Sequence, residues 1–275
     1  MFRGFQGARR RRALAAAVTA LGITAAVAGA QLASAATTPT AAPRAAAAKA
    51  APAKPAARTV DRTIAVKGTF DGAGKRFVGG GALGDGGQSE DQDAMFELAD
   101  GATLSNVTLG FPAADGVHCK GSCTLRNITW EDVGEDAATF TGTNATVVVD
   151  GGSAAKGDDK VFQDNRQAGG SVTIRNFAVS DFGKLYRSCG NCRKQAARTV
   201  TITNVTATAP GKVLAGVNAN LGDRVTLSKI TITGPKASSV KVCELFGGNN
   251  TGKEPTKVGS APDGRTCVAS GITVR

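Results

Sequence analysis

The sequence predicts an all-β fold in which a single domain is a solenoid of stacked parallel strands. One template of seven residues recurs: Thr, apolar, any residue, usually Asn, apolar, any residue, usually apolar. Its copies start 21 to 28 residues apart, a spacing typical of solenoid repeats. β-Branched residues fill the apolar positions and no amphipathic helix separates the copies, so each copy should form strands that stack as a parallel β-helix. The copies begin at Thr103, Thr124, Thr146, Thr173, Thr201 and Thr226.

The first 58 residues differ in composition from the rest of the chain. A basic start, MFRGFQGARRRR, precedes an alanine-rich apolar run and an Ala-Ser-Ala cleavage pattern at 33–35, which predicts a secretory signal peptide over residues 1–35. The alternative, a membrane anchor, is disfavoured because the apolar run is short and diluted by alanine. Residues 36–58 read as an Ala/Pro-rich linker, and 59–275 as the β-helix domain. We therefore expect a secreted, extracellular protein without membrane attachment.

The charge of the chain resides largely in this N-terminal region. The formal net charge is +11, but nine of the 33 Lys and Arg lie before residue 59, where there is no acidic residue. The remaining 24 basic residues face 22 acidic ones, and the whole chain has one Trp and one Tyr to stack on bases. The domain is therefore not predicted to bind nucleic acid.

Six cysteines form three groups that are local in sequence. Six cysteines allow 15 pairings, but export favours disulfides between near neighbours: Cys119 with Cys123, Cys189 with Cys192, and Cys243 with Cys267. A zinc site using these thiols and His118 is the alternative. His118 is the only histidine of the chain, and we expect a structural role for it.

The repeated asparagines should occupy one bend of successive coils. Asparagine tolerates left-handed backbone and can hydrogen-bond along the stack, so a structural role is favoured over glycosylation, although three of these asparagines lie in Asn-x-Thr sequences. Residues 240–275 should form the last coil and a disulfide-closed cap. The four repeated residues are Asn106, Asn127, Asn176 and Asn204.

Acidic residues cluster around residues 113–140. Asp115 precedes Glu135 and Asp136 by about one coil, so the three carboxylates should lie together on one face. Hard divalent cations prefer such oxygen ligands, and we interpret the cluster as a calcium site rather than as solvated turn residues.

Three cations follow on later coils. Lys160, Lys184 and Arg187 are the residue types that meet an acidic substrate and take a proton from it. Repulsion among them and a nearby metal ion should lower the pKa of a lysine towards that of a useful base.

These segments together resemble polysaccharide lyase family 3 pectate lyases. The resemblance covers residues 60–275 and is carried by four motifs: ADGVHC (114–119), WEDVGEDAATF (130–140), DKVFQ (159–163) and GKLYRSCGNC (183–192). It implies a right-handed parallel β-helix and calcium-dependent β-elimination of polygalacturonate. It also implies that Asp115, Glu135 and Asp136 bind calcium and that Lys160, Lys184 and Arg187 form the basic active-site set. Glu90 resembles a further acidic active-site position, and Arg166-Gln167-Ala168 departs from an expected tight Asn-Gly turn.

The reaction needs a base, and we favour Lys160 over Arg187 because arginine stays protonated and is better suited to holding a carboxylate. We expect a monomer whose partner is polygalacturonate or pectin. Two alternatives stay open: a pectin-backbone hydrolase using paired carboxylates, and a β-helix that binds acidic polysaccharide without cutting it.

Overall fold

The protein forms the predicted parallel β-helix, of about six turns. The computed structural model describes residues 56–260 and 262–275, so the predicted signal peptide and all but the last three residues of the predicted linker lie outside the described residues. The first ten strands are β1 (Ala57–Val60), β2 (Ile64–Val66), β3 (Thr69–Asp71), β4 (Arg76–Gly79), β5 (Phe96–Leu98), β6 (Ala102–Gly110), β7 (Val117–Cys119), β8 (Cys123–Trp130), β9 (Ala138–Phe140) and β10 (Thr146–Asp164). The others are β11 (Ser171–Ser188), β12 (Thr199–Asn218), β13 (Arg224–Thr233), β14 (Lys241–Gly247), β15 (Thr256–Gly259) and β16 (Cys267–Val274), with short 3-10 helices at Ala219–Leu221 and Ala237–Ser239.

The strands stack in two parallel series. One runs β4-β6-β8-β10-β11-β12-β13-β16, and the other runs β2-β5-β7-β9-β10. The long strands β10, β11 and β12 belong to both faces of the solenoid, because each bends and continues into the next face. Aliphatic and aromatic side chains fill the interior, including a Phe and Trp cluster of Trp130, Phe140, Phe162 and Phe177.

The asparagines at the bend have the predicted role. Asn106, Asn127, Asn176 and Asn204 have φ between 51° and 54°, the left-handed region that asparagine tolerates better than most residues. The Asn127 side chain donates to Asn106 Oδ1 at 2.9 Å, and that of Asn204 donates to Asn176 Oδ1 at 2.7 Å. The prediction of hydrogen bonds along the stack is therefore confirmed.

One copy of the repeat starts two residues later than the sequence pattern predicts. The strand register pairs Thr124 with Val148 and Val148 with Thr173, so Val148, not Thr146, occupies the repeat position. A slip of two residues leaves every side chain on the same face of a strand, which is why the Thr-Val-Val-Val pattern did not reveal it. Strand β1 begins at Ala57, two residues before the predicted domain boundary.

All six cysteines form the predicted pairs: Cys119–Cys123, Cys189–Cys192 and Cys243–Cys267. The zinc alternative is wrong, because it needs thiols that are not free. The C-terminal segment forms a cap as predicted: β16 stacks on β13, and β14 pairs with β12 and turns back into the antiparallel strand β15. In the described part of the chain, no helix is long and apolar enough to cross a membrane.

Candidate active site

Strand register brings Asp115 and Asp136 into one row. Val117 of β7 pairs with Ala138 of β9. Asp115 and Asp136 each lie two residues before these partners, so both side chains point to the same side on neighbouring coils. The prediction that residues one coil apart would meet on one face is confirmed for this pair.

Asp115, Glu135 and Asp136 form a buried acidic cluster. One oxygen from each lies within 4.8 Å of the other two, and the three residues are 8%, 4% and 1% exposed. Asp115 Oδ1 and Asp136 Oδ1 are buried without a hydrogen-bond partner. Because buried carboxylate oxygens without donors are costly, these residues fit a hard divalent cation such as calcium.

Two side chains from adjacent strands orient the acidic cluster. His118 Nε2 lies 2.7 Å from Asp115 Oδ2, and the Thr139 hydroxyl donates to Asp136 Oδ2 at 3.0 Å. His118 and Thr139 are register partners on β7 and β9, so they form one supporting layer under the cluster. His118 thus has the expected structural role. It contacts a predicted metal ligand directly, as residues that orient metal ligands often do.

Glu135 and Asp136 hold their protons more tightly than ordinary carboxyls. Burial raises the pKa of Glu135 and raises that of Asp136 well above its ordinary value; Lys160 opposes this effect, while the neighbouring carboxylates add to it. The charged form is therefore unfavourable in the folded protein unless a cation is present.

This electrostatic cost predicts a pH dependence of stability. When folding raises the pKa of a carboxyl, the folded state binds more protons than the unfolded state. The free energy of unfolding therefore decreases as the pH rises above the pKa that the carboxyl has in the unfolded chain. In chelator, the melting temperature should therefore fall between pH 5 and pH 8, by roughly 2–4 °C for each kcal/mol lost from the free energy of unfolding. Calcium should restore it most at pH 8, in a thermal denaturation series with and without calcium. A calcium-induced shift of equal size at both pH values would contradict this prediction.

Lys160 lies against the acidic cluster. Its Nζ is 3.1 Å from Glu135 Oε1 and 3.7 Å from Asp136 Oδ1, and its side chain is 12% exposed. It also donates to Asp159 Oδ2 at 3.1 Å. Neighbouring residues of a strand normally face opposite sides, but β10 carries an extra residue between Gly157 and Lys160 relative to β11. This bulge lets both Asp159 and Lys160 reach the same cleft.

The sequence-based expectation of a lowered lysine pKa is wrong for Lys160 in this structure. Burial alone would lower the pKa of Lys160, but Asp136, Glu135 and Asp159 raise it above its ordinary value. The expectation was based on repulsion among the basic residues and on a nearby metal ion, whereas the fold also surrounds Lys160 with carboxylates.

Lys184 and Arg187 continue the row onto β11. Lys160 pairs with Lys184, and Gln163 with Arg187, in the register of β10 and β11. Lys184 Nζ donates to Asp159 Oδ1 at 2.7 Å, so Asp159 bridges the two lysines. Asp159 is a site residue that the sequence motifs did not identify. Its position beside Lys160 was the available signal, but only the bulge makes it face the cleft.

Arg187 occupies a pocket of neutral partners. Its Nη1 donates to Asn218 Oδ1 at 3.1 Å and to the carbonyl of Ser188, and its guanidinium lies 4.0 Å from the centre of the Phe246 ring. Burial lowers its pKa to about 10, against the opposing effect of more distant acids such as Asp223. Asn218 is fully buried and is itself held by Asp223, which accepts from the Asn218 backbone at 2.8 Å. Sequence patterns gave no signal for Asn218 or Phe246, since Asn218 lies one coil and Phe246 two coils beyond the motif that holds Arg187.

All four residues predicted to be catalytic line one cleft of about 720 Å³. Glu90 lies at its edge: the side chain is 84% exposed and its Oε1 is 3.9 Å from Lys160 Nζ. The cleft is thus lined by Lys160, Lys184 and Arg187, and Lys160 connects it to the buried acidic cluster.

The unexpected segment at Arg166 is structural. Arg166 is 1% exposed and donates twice to Asp164, at 2.9 and 2.7 Å. Tyr186 also donates to Asp164, at 2.7 Å. Arg166 therefore points inward and stabilises the coil beneath Arg187.

A parallel β-helix that joins a buried acidic cluster to a row of cations in an open cleft defines a class of protein that handles acidic polysaccharides. The comparisons with known proteins agree: the model of the pectate lyase family matches residues 48–253. The chain belongs to the pectate lyase family. It is 48% identical over 214 residues to a probable pectate lyase E of Aspergillus flavus, covering 77% of this chain and 79% of that protein. Pectate lyase E of Emericella nidulans is 46% identical over 199 residues, covering 72% and 75%.

Solved structures of pectate lyases share the fold. The catalytic domain of pectate lyase PelI from Erwinia chrysanthemi superposes with a TM-score of 0.68 at 31% identity, covering 80% of this chain and all of that one. PelI in complex with tetragalacturonic acid gives a TM-score of 0.64 at 31% identity, covering 79% and 70%. The predicted fold class and the resemblance are thereby confirmed.

Proposed function

We propose that this protein is a secreted, calcium-dependent pectate lyase that cleaves polygalacturonate by β-elimination. One observation carries the proposal: Lys160 lies within 3.1 Å of an acidic cluster that fits a divalent cation, in the cleft that also holds Lys184 and Arg187. Membership of the pectate lyase family and the likeness to a PelI structure that contains tetragalacturonic acid support the substrate class. The signal pattern at residues 1–35 supports secretion, and we propose a monomer.

The assignment of roles follows from charge and position. Calcium, when held by Asp115, Glu135 and Asp136, would supply positive charge that binds the uronate carboxylate and makes the adjacent C5 proton more acidic. Arg187, whose guanidinium hydrogen-bonds to neutral acceptors, and Lys184 would hold that carboxylate in place. Glu90 is proposed as an accessory acid at the cleft edge, next to Lys160.

Lys160 is proposed as the base. It would take the proton from C5; the electrons of the C–H bond form the C4–C5 double bond, the C4–O bond breaks, and the leaving oxygen takes a proton from water. Glu135 and Asp136, two of the three carboxylates that raise the pKa of Lys160, are also proposed to bind calcium, so the cation would offset their effect. Because the base must be unprotonated, the rate should increase towards alkaline pH.

The test is ultraviolet absorbance of polygalacturonate incubated with the purified protein, in calcium and in chelator. We expect the band of the unsaturated uronide to grow in calcium and not in chelator. A reducing-sugar assay on the same tubes provides the control: new reducing ends without the ultraviolet band would indicate a hydrolase, and no new ends in calcium or in chelator would indicate a binding protein. Either result would contradict the proposal.

A further inference from the structure

The cleft extends beyond the proposed catalytic residues to a second group of lysines. The same cavity that is lined by Lys160, Lys184 and Arg187 is also lined by Lys212, Lys241 and Lys257. We name the latter three, with Glu244 between them, the distal lysine cluster. Nothing in the reaction proposed above uses them.

We propose that the distal lysine cluster is a separate subsite that binds a carboxylate of the substrate chain away from the unit that reacts. The inference rests on the proposed function, because it takes a uronate polymer as the substrate. It assigns the direction of the bound polymer, along the stacking axis of the coils.

Strand register places the distal lysine cluster in line with the catalytic row. Lys184 of β11 pairs with Val213 of β12, and Val213 pairs with Lys241 of β14. Lys241 therefore lies two strands from Lys184, or about 10 Å at the usual strand spacing. That spacing between the two backbones is about the length of two sugar units, so neighbouring units of one polymer can each contact one of the two lysines.

The distal lysine cluster is held by a buried carboxylate. Glu244 is 5% exposed, accepts from Lys241 Nζ at 2.9 Å and also accepts from Lys257 Nζ. The lysine side chains are nevertheless 45% and 49% exposed. Because an ammonium group has three donors, each lysine keeps donors for an incoming anion. Glu244 thus fixes the position of two cations without consuming their hydrogen-bonding capacity.

The surrounding structure makes this end of the cleft rigid. Lys257 lies on β15, opposite Phe246 of β14 in the antiparallel hairpin, and Cys243 of β14 is tied to Cys267 of β16. Phe246 also carries the Arg187 guanidinium on its ring, so one side chain links the two basic regions. Lys212 is exposed and forms no ion pair within the described residues, which leaves its charge available to a ligand.

Electrostatics of the whole cleft favour a polyanion at this end. Among its lining residues, six cations face four acids, and the acids Asp159 and Glu244 are engaged by lysines. Glu254 is the remaining acid near Arg187, and Glu90 lies at the opposite edge. A carboxylate entering between Lys212 and Lys241 would therefore meet excess positive charge.

The test compares long and short substrates. We expect Lys212→Gln combined with Lys241→Gln to raise KM for polygalacturonate about tenfold, the effect of losing one charge-assisted hydrogen bond. The kcat on polymer should change less than about twofold. The kcat and KM on digalacturonate should also change less than about twofold, because its two sugar units, when bound at Lys160, are too short to reach the distal lysine cluster. Lys67→Gln, an exposed lysine elsewhere on the solenoid, is the matched control and should leave every constant unchanged.

A second variant guards against misfolding. Lys241→Gln, Glu244→Gln and Lys257→Gln together remove the ion-paired group without leaving a buried charge unpaired, and should give the same KM effect with an unchanged melting temperature. An unchanged KM for polymer, or equal losses on polymer and digalacturonate, would overturn the proposal.

A binding measurement separates this proposal from the reaction itself. The retardation of a protein in a gel that contains polygalacturonate measures binding and requires no turnover. The distal substitutions can therefore be made in the Lys160→Ala variant and compared with Lys160→Ala alone. Weaker retardation of the combined variant would support the subsite even if the protein produced no unsaturated ends, in which case the proposed reaction alone would fail. Equal retardation with and without the distal lysines would overturn the subsite, whatever the activity.

Discussion

Replacing Lys160 with alanine is expected to lower kcat on polygalacturonate by about 10²–10⁴-fold, the usual contribution of a general base. The side chain is 12% exposed and faces the cleft beside the acidic cluster, so its loss removes the proposed proton acceptor without opening the hydrophobic interior. The measurement is the initial rate of ultraviolet absorbance at saturating polymer and calcium. Lys156→Ala is the matched control, because Lys156 lies on the same strand but pairs with Asp132 at the surface and should retain full activity.

The variant Lys160→Arg distinguishes a base from a fixed charge. Arginine keeps the positive charge beside Glu135 and Asp136 but remains protonated in proteins. If Lys160 is the base, the arginine variant should be as inactive as the alanine variant. Substantial activity in Lys160→Arg would assign Lys160 to charge neutralisation, and near-normal turnover in Lys160→Ala would transfer the base role to Arg187.

The repeat positions and the acidic cluster were predictable from sequence because both follow from coil spacing. Asn106 and Asn127 share the template and one backbone conformation, and Asp115 and Asp136 lie one coil apart. Both features require only that equivalent residues of successive coils stack on one another. The error at Thr146 has the same origin: the pattern defines which face a residue occupies, whereas hydrogen bonds between strands define its register.

The surroundings of the cations could not be predicted in the same way. Asp159 reaches the cleft because of a bulge, and Asn218 contacts Arg187 from the next coil. Neither contact leaves a mark in the periodicity of the chain. The pKa of Lys160 therefore came out with the wrong sign, since it depends on distances to carboxylates that the sequence does not specify.

Asp136→Asn is expected to separate activity from stability. Asparagine has nearly the same shape as aspartate but carries no charge, so the acidic cluster loses one of its anionic ligands and its affinity for a divalent cation. We expect activity at moderate calcium to fall by at least ~100-fold, as charge stabilisation at the reacting centre is removed. Lyase rates measured over a calcium titration check this, and a large excess of calcium should recover part of the loss.

In chelator the same substitution should stabilise the fold. Asp136 is 1% exposed, and burial together with Glu135 and Asp115 raises its pKa well above the ordinary value, so its charge is a net cost to the ion-free protein at neutral pH. The melting temperature of Asp136→Asn in chelator at pH 8 should exceed that of the unmodified protein, and the difference should shrink as the pH falls, because the raised pKa of Asp136 favours its protonation. Asp132→Asn is the control, because Asp132 lies near the surface and pairs with Lys156. In a cation site, removing a buried negative charge relieves repulsion that otherwise only the bound ion cancels. A variant that loses both activity and stability would therefore mean that Asp136 stabilises the coil and does not bind a cation.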